Sequence, residues 1–176
     1  MGIIMRKSKT TTQLIILGVM AALLVCCGQS KRQSRFFLEK AKGLGGIIIK
    51  QASDNMNLCK MYNTVWEYAK ATDLDFQSAY REMMLDTSEI EMLMETNMQM
   101  MDRIMNMVKS PPKNMTGIHD KLIELRESYL EFNNFIFQLP QVSQEEFNAE
   151  VDAYVTNINS LKGELDRLIA EAEVNL

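Results

Sequence analysis

The chain has 176 residues, 47% of them apolar and 24% charged, which suits one ordinary domain and argues against disorder throughout. Three prolines and eight glycines are too few for a turn-rich β-sandwich or barrel, so helix is the expected state. A formal charge of −4 and a pI near 5.1 oppose binding to a nucleic-acid backbone, and one histidine and three cysteines leave little for side-chain catalysis. The reading is therefore of a non-enzyme, with no cofactor and no nucleic-acid partner.

The amino end carries Arg6, Lys7 and Lys9 without an acid, then a twelve-residue apolar run from Leu14 to Val25. At about 1.5 Å per residue such a run reaches only about 18 Å, short of the roughly 30 Å hydrocarbon core, so a cleaved secretory signal is expected rather than a permanent span. The run closes on Leu24-Val25-Cys26-Cys27. This order of charge, apolar run and cysteine resembles a bacterial lipobox, in which a leucine stands three residues before a cysteine that becomes thioether-linked to diacylglycerol. The resemblance implies a signal peptide over residues 1–26, lipid on Cys27 (Cys26 as second choice) and a palmitate-bearing anchor in the bacterial cell envelope, on the extracytoplasmic side. A cysteine before the modified residue departs from the usual Gly, Ala or Ser.

Residues 27–35 are polar and basic, with Lys31, Arg32 and Arg35, and are expected to form a lipidated tether. From residue 36 to the end there are 13 Lys plus Arg against 23 Asp plus Glu, an acidic body on a basic leash.

Apolar residues of that body, residues 36–176, recur at alternating steps of three and four, the stripe of an amphipathic helix, four times. The first stripe is Phe37, Ala41, Leu44, Ile48, Leu58, Tyr62, Val65 and Ala69, with Gln51 and Asn55 at positions that continue it. Gly43, Gly45 and Gly46 predict a bend or break there, since each costs up to about 1 kcal/mol relative to alanine. The second segment starts at Asp73 or Leu74, pauses at Asp86-Thr87-Ser88-Glu89, and continues through Ile90, Met94, Asn97, Met101, Ile104 and Val108. Ser110-Pro111-Pro112 ends it, because the residue before a proline is pushed out of helical geometry. The third stripe is Ile118, Leu122, Leu125, Tyr129, Phe132, Ile136 and Leu139, stopping at Pro140. Ser143 with Glu146 forms a capping box that opens the fourth: Phe147, Val151, Tyr154, Ile158, Leu161, Leu165, Leu168 and Ala172. Short connections make antiparallel neighbours, so the expected fold is all-α, an antiparallel up-down four-helix bundle with long helices.

Ten of the fifteen methionines fall between Met83 and Met115. At 100° per residue Met94, Met98, Met101 and Met105 share one flank of a helix, while Met92, Met100 and Met107 lie on another. The first set is expected to pack the core and the second to offer a partner surface, Met being adaptable filler for both. The alternative is a binding module, either for Cu(I) through the thioethers of the first set or for a small apolar ligand between helices. His119 and Cys59 are expected to be structural, Cys59 as a buried small hydrophobe.

Trp66 within Val-Trp-Glu-Tyr-Ala, the long second segment, Pro111-Pro112, Leu122, Tyr129 within Ser-Tyr-Leu-Glu and Pro140 together resemble small helical lipoproteins of Gram-positive bacteria, over residues 58–140. Gln141-Val142-Ser143 departs from the Gly-Ser that often follows the last proline in that group. The resemblance implies no activity. Together the readings make a membrane-anchored interaction or spacer module with an envelope protein as partner.

Overall fold

A computed structural model describes the backbone of residues 7–83, 88–138 and 140–176, and the side chains of residues 31–83, 92, 95–96, 98–138 and 140–176. Every regular element among them is helical: α1 Lys7–Thr72, α2 Phe76–Glu82, α3 Ser88–Val108, α4 Thr116–Phe137 and α5 Gln144–Val174, with a single turn of 3-10 helix at Lys113–Met115 before α4. No helix among the described residues is long and apolar enough to cross a membrane.

The first helix differs from expectation before the stripe and within it. It is continuous for 66 residues, about 100 Å at 1.5 Å per residue, and residues 31–35, expected as a leash, are part of it, with Ser34 only 2% exposed. It also runs unbroken through Gly43, Gly45 and Gly46. Tertiary packing overrides the local propensity there. A Cβ on Gly45 would stand 3.0 Å from Leu165 Cδ2 and 3.2 Å from Lys162 Cε, so this glycine lets α5 lie close against α1, whereas a Cβ on Gly43 or Gly46 meets nothing within 4 Å.

The end of α1 is set by Asp73, whose φ of 56° lies in the left-handed region. The Leu74 N–H then donates back to the Ala69 carbonyl at 3.0 Å, a 6→1 closure that satisfies a carbonyl of the last turn. The second segment is interrupted earlier than expected. Asp75 caps α2 by accepting from the Ser78 N–H at 2.9 Å, and Val65, Ala69 and Ala79 bury a small cluster under this extra helix. The cap foreseen at Asp86 to Glu89 lies outside the described side chains. Downstream the boundaries fall as expected. α3 stops before Pro111-Pro112, and the box at α5 is complete, with the Ser143 N–H donating to Glu146 Oε2 at 3.0 Å and the Glu146 N–H to Ser143 Oγ at 3.2 Å.

Pairs of contacts give the helix directions. Lys42 meets Glu173 and Asn63 meets Asn148, so α1 and α5 run antiparallel. Asn55 meets Asn133 and Tyr62 meets the Ile136 carbonyl, so α1 and α4 run parallel. Arg126 meets Asp102 while Asn133 meets Met98, and Lys121 meets Glu164 while Ser128 meets Asn157, so α4 opposes both α3 and α5. α1, α4 and α5 pack against one another in all three pairs, with α2 and α3 laid on α1.

The stripes are the core. Phe37, Ala41, Leu44, Ile48, Leu58, Tyr62, Val65 and Ala69 of α1 are all buried, as are Ile118, Leu122, Leu125, Tyr129, Phe132 and Ile136 of α4. On α5 Phe147, Val151, Ile158 and Leu165 are buried, Tyr154, Leu161, Leu168 and Ala172 are partly so, and Ile169 joins the core off the expected stripe.

Candidate functional site

The two anchor candidates, Cys26 and Cys27, lie outside the described side chains, as do Met94 and Asn97. What the structure does place is the methionine-bearing face of α3, and beneath it a buried polar layer.

Successive methionines of α3 divide as the 100° rotation dictates. Met101 is 1% exposed in the core, and Met98 and Met105 pack partly buried beside it. Met92, Met100 and Met107 are 69%, 42% and 58% exposed, so three large apolar side chains face solvent along one helix. Phe36 of α1 adds a fourth at 50%, with Lys40 Nζ standing 5.4 Å from the centre of its ring. Phe36 and Met107 line a cleft of about 250 Å³ with Gln33, Phe37, Ser110, Pro111 and Pro112. A second groove, of about 200 Å³, runs between α1 and α5 along Ile49, Ala52, Met56, Val155 and Ile158. Both fall below the roughly 300–1,000 Å³ of an ordinary small-molecule pocket.

Two α1 residues, Gln51 and Asn55, are buried at 3% and 1% exposure, as their heptad positions predict. Asn55 meets a residue that stripe counting leaves out: Asn133 of α4, 5% exposed, accepts at Oδ1 from Asn55 Nδ2 at 3.4 Å and from the Tyr129 hydroxyl at 3.2 Å. Its own Nδ2 lies 4.0 Å from Met98 Sδ. The signal was present in the spacing, since Asn133 stands four residues after Tyr129 on the same helical face. Burial pushes the Tyr129 phenol up to about 12, with the nearby charge of Asp54 adding to the effect. Gln51 is left with neither amide atom hydrogen-bonded, and Asn55 Oδ1 is also without a partner.

An unpaired buried amide costs its desolvation with no return, about 1–3 kcal/mol. Gln51→Leu, which nearly preserves shape, is therefore expected to raise stability by about 1–2 kcal/mol in urea unfolding followed by circular dichroism. A loss of more than about 1 kcal/mol would show that the amide is held by partners in solution.

Other chemistry-bearing groups are dispersed. Cys59 is 2% exposed, its thiol pushed up to about 12 by burial, which makes it inert as a nucleophile. His119, at the start of α4, has a side chain 16% exposed whose Nδ1 lies 3.6 Å from Asp120 Oδ1. Among the described residues no three His, Cys, Asp or Glu side chains gather as a metal site. The thioether of Met98 is turned to the Asn133 amide. No protein-family model, curated protein or solved structure matches the chain.

Proposed function

We propose that this is a non-enzymatic bacterial envelope lipoprotein: residues 1–26 a signal peptide removed on export, Cys27 the lipidated residue, and the rest an antiparallel up-down four-helix bundle held on the extracytoplasmic face of a membrane as an interaction or spacer module. The observation that carries the interaction role is the exposure of Met92, Met100 and Met107 along α3 while Met101 of the same helix is in the core. Exposed apolar side chains aligned on one element mark partner surfaces in soluble folds, and methionine adapts to a partner without a fixed shape. The layout of Arg6, Lys7, Lys9, the apolar run and Leu24-Val25-Cys26-Cys27 supports the anchor. Two acyl chains supply the lasting attachment that one myristoyl-sized chain does not, at about 0.8 kcal/mol per buried methylene.

The test is intact mass and fractionation of the chain expressed in a bacterium. Diacylglycerol is expected on wild-type Cys27, with Cys27→Ser unprocessed or released from the membrane. In the same membranes a crosslinked envelope protein is expected to be lost when Met92, Met100 and Met107 are all replaced by Gln. Membrane retention of Cys27→Ser with no lipid mass on the wild type overturns the anchor; lipid on Cys26 moves it by one residue.

A further inference from the structure

The end of the body where α1 enters carries a patch that the bundle does not use. Phe36 and Met107 are 50% and 58% exposed there, one on α1 and one on α3, on either side of the cleft closed by Pro111 and Pro112. Close to this apolar pair in the chain stand Arg32 and Arg35 on α1 and Lys109 and Lys113 on the α3–α4 connection, all exposed, with Lys40 over the Phe36 ring and Arg35 lining a neighbouring cleft of about 430 Å³ with Glu39, Lys42 and Glu173. Among the described residues none of these four cations forms an ion pair. Other cations of that end are engaged elsewhere: Lys42 pairs with Glu173, Lys31 donates to the Leu176 carbonyl at 2.8 Å, and Lys40 stands over the Phe36 ring. Glu39 and Asp102 are the exposed acids closest to the patch in sequence, and Asp102 is paired with Arg126.

Four cations that form no ion pair among the described residues, close in sequence to two exposed apolar side chains, stand out in a body whose balance is acidic. The opposite end, where α1 stops and α5 starts, presents Asp73, Asp75, Glu145 and Glu146 instead. We propose that the patch of Arg32, Arg35, Phe36, Met107, Lys109 and Lys113 rests on the anionic lipid surface to which the chain is anchored, so that the bundle sits on the membrane by this end and points its acidic end away. The proposal depends on the lipid anchor at Cys27, and it gives Met107, at the membrane end of the α3 stripe, to the lipid surface while Met92 and Met100 remain for the envelope partner. From there to Phe36 is nine residues, about 14 Å along a helix, which leaves Arg32 and Arg35 within roughly one Debye length of the headgroups. The cations supply attraction to phosphate-bearing headgroups, and Phe36 and Met107 supply apolar contact at the interface. Each cation neutralised should weaken the seating of this end by about fivefold.

The sole tryptophan, Trp66, gives a built-in reference, because it stands thirty residues along α1 from Phe36, about 45 Å away. The full lipidated chain is reconstituted into vesicles of phosphatidylcholine with phosphatidylglycerol, containing a nitroxide on the lipid headgroup, and compared with Phe36→Trp. The added tryptophan is expected to be quenched while the wild type is not. Quenching should fall in phosphatidylcholine alone, in high salt, and when Arg32, Arg35, Lys109 and Lys113 are all changed to Gln. A chain that floats with the vesicles but shows no quenching in Phe36→Trp, or equal quenching with and without anionic lipid, overturns the proposal and leaves the anchor standing. A chain that does not float with the vesicles overturns the anchor, and the seating with it.

Discussion

Phe147→Ala is expected to cost about 3–5 kcal/mol in unfolding free energy. Phe147 is 1% exposed in the first turn of α5, and its ring lies 5.9 Å from Tyr62, 5.1 Å from Trp66 and 5.4 Å from Phe135. Three helices therefore meet on one side chain: α1 through Tyr62 and Trp66, α4 through Phe135, and α5 through Phe147 itself. Trp66 passes the contact on to α2, its ring 4.5 Å from Phe76. Truncation removes the buried area of the ring and leaves a cavity among rigid aromatics that cannot collapse into it. Urea unfolding in mild detergent measures the loss, and the emission of Trp66 should shift in the native state because a ring neighbour has gone. Phe36→Ala, at a half-exposed position, serves as the control and should change stability by about 0.5 kcal/mol or less. A cost below about 1 kcal/mol for Phe147→Ala would mean that this aromatic cluster does not hold the three helices together.

Raising the pH above about 9 should destabilise the fold by several kcal/mol before pH 12. Burial holds the Cys59 thiol near 12 against an ordinary 9.0, and the Tyr129 phenol near 12 against 10.0. Between those values the unfolded chain releases protons that the native chain keeps, so the unfolded state binds fewer protons and stability falls as pH rises. The contribution is whole below pH 9 and is lost progressively up to pH 12. At about 1.4 kcal/mol per unit, the three-unit elevation of Cys59 sets an upper bound of about 4 kcal/mol for that group. Urea midpoints measured from pH 8 to 11 should decline from about pH 9 in the wild type. In Cys59→Ala the overall midpoint drops for want of packing, but the decline should start about one unit later, where the Tyr129 phenol takes over. Equal slopes in the two proteins would show that Cys59 is not the source. Native Cys59 should also resist thiol reagents until the chain unfolds.

Much of the molecule can be read from periodicity and punctuation, because both are local. The three-and-four spacing on α1 and α4 names residues that are buried one after another, since a helix turns 100° per residue whatever its neighbours are. The Ser143 and Glu146 box and the proline pair are equally local, as each acts within one helical turn. The same rotation separates Met101 from Met92, Met100 and Met107 without reference to the rest of the chain. The basic leader and the Leu24 to Cys27 order are also sequence properties, and the anchor reading rests on them.

What the tertiary structure decided is where local preference and long-range packing disagree. Three glycines within four residues predict a weak point, yet α1 continues, because Gly45 admits Leu165 of α5 closer than a side chain would, and the packing offsets the propensity cost. The polar segment at residues 31–35 continues α1, with Ser34 buried. The α2 helix depends on Asp75 capping it and on Val65 and Ala69 receiving Ala79, contacts that no spacing within residues 76–82 reveals. Asn133 and Ser128 look like polar breaks beside a stripe until Asn55 and Asn157 arrive from other helices to meet them. The chain alone thus determined which face of each helix is apolar. Which helices share that face, and which polar groups find partners inside it, was settled only by the assembled helices, because pairing depends on residues as far apart as Asn55 and Asn133, or Lys42 and Glu173, whose proximity no local pattern encodes.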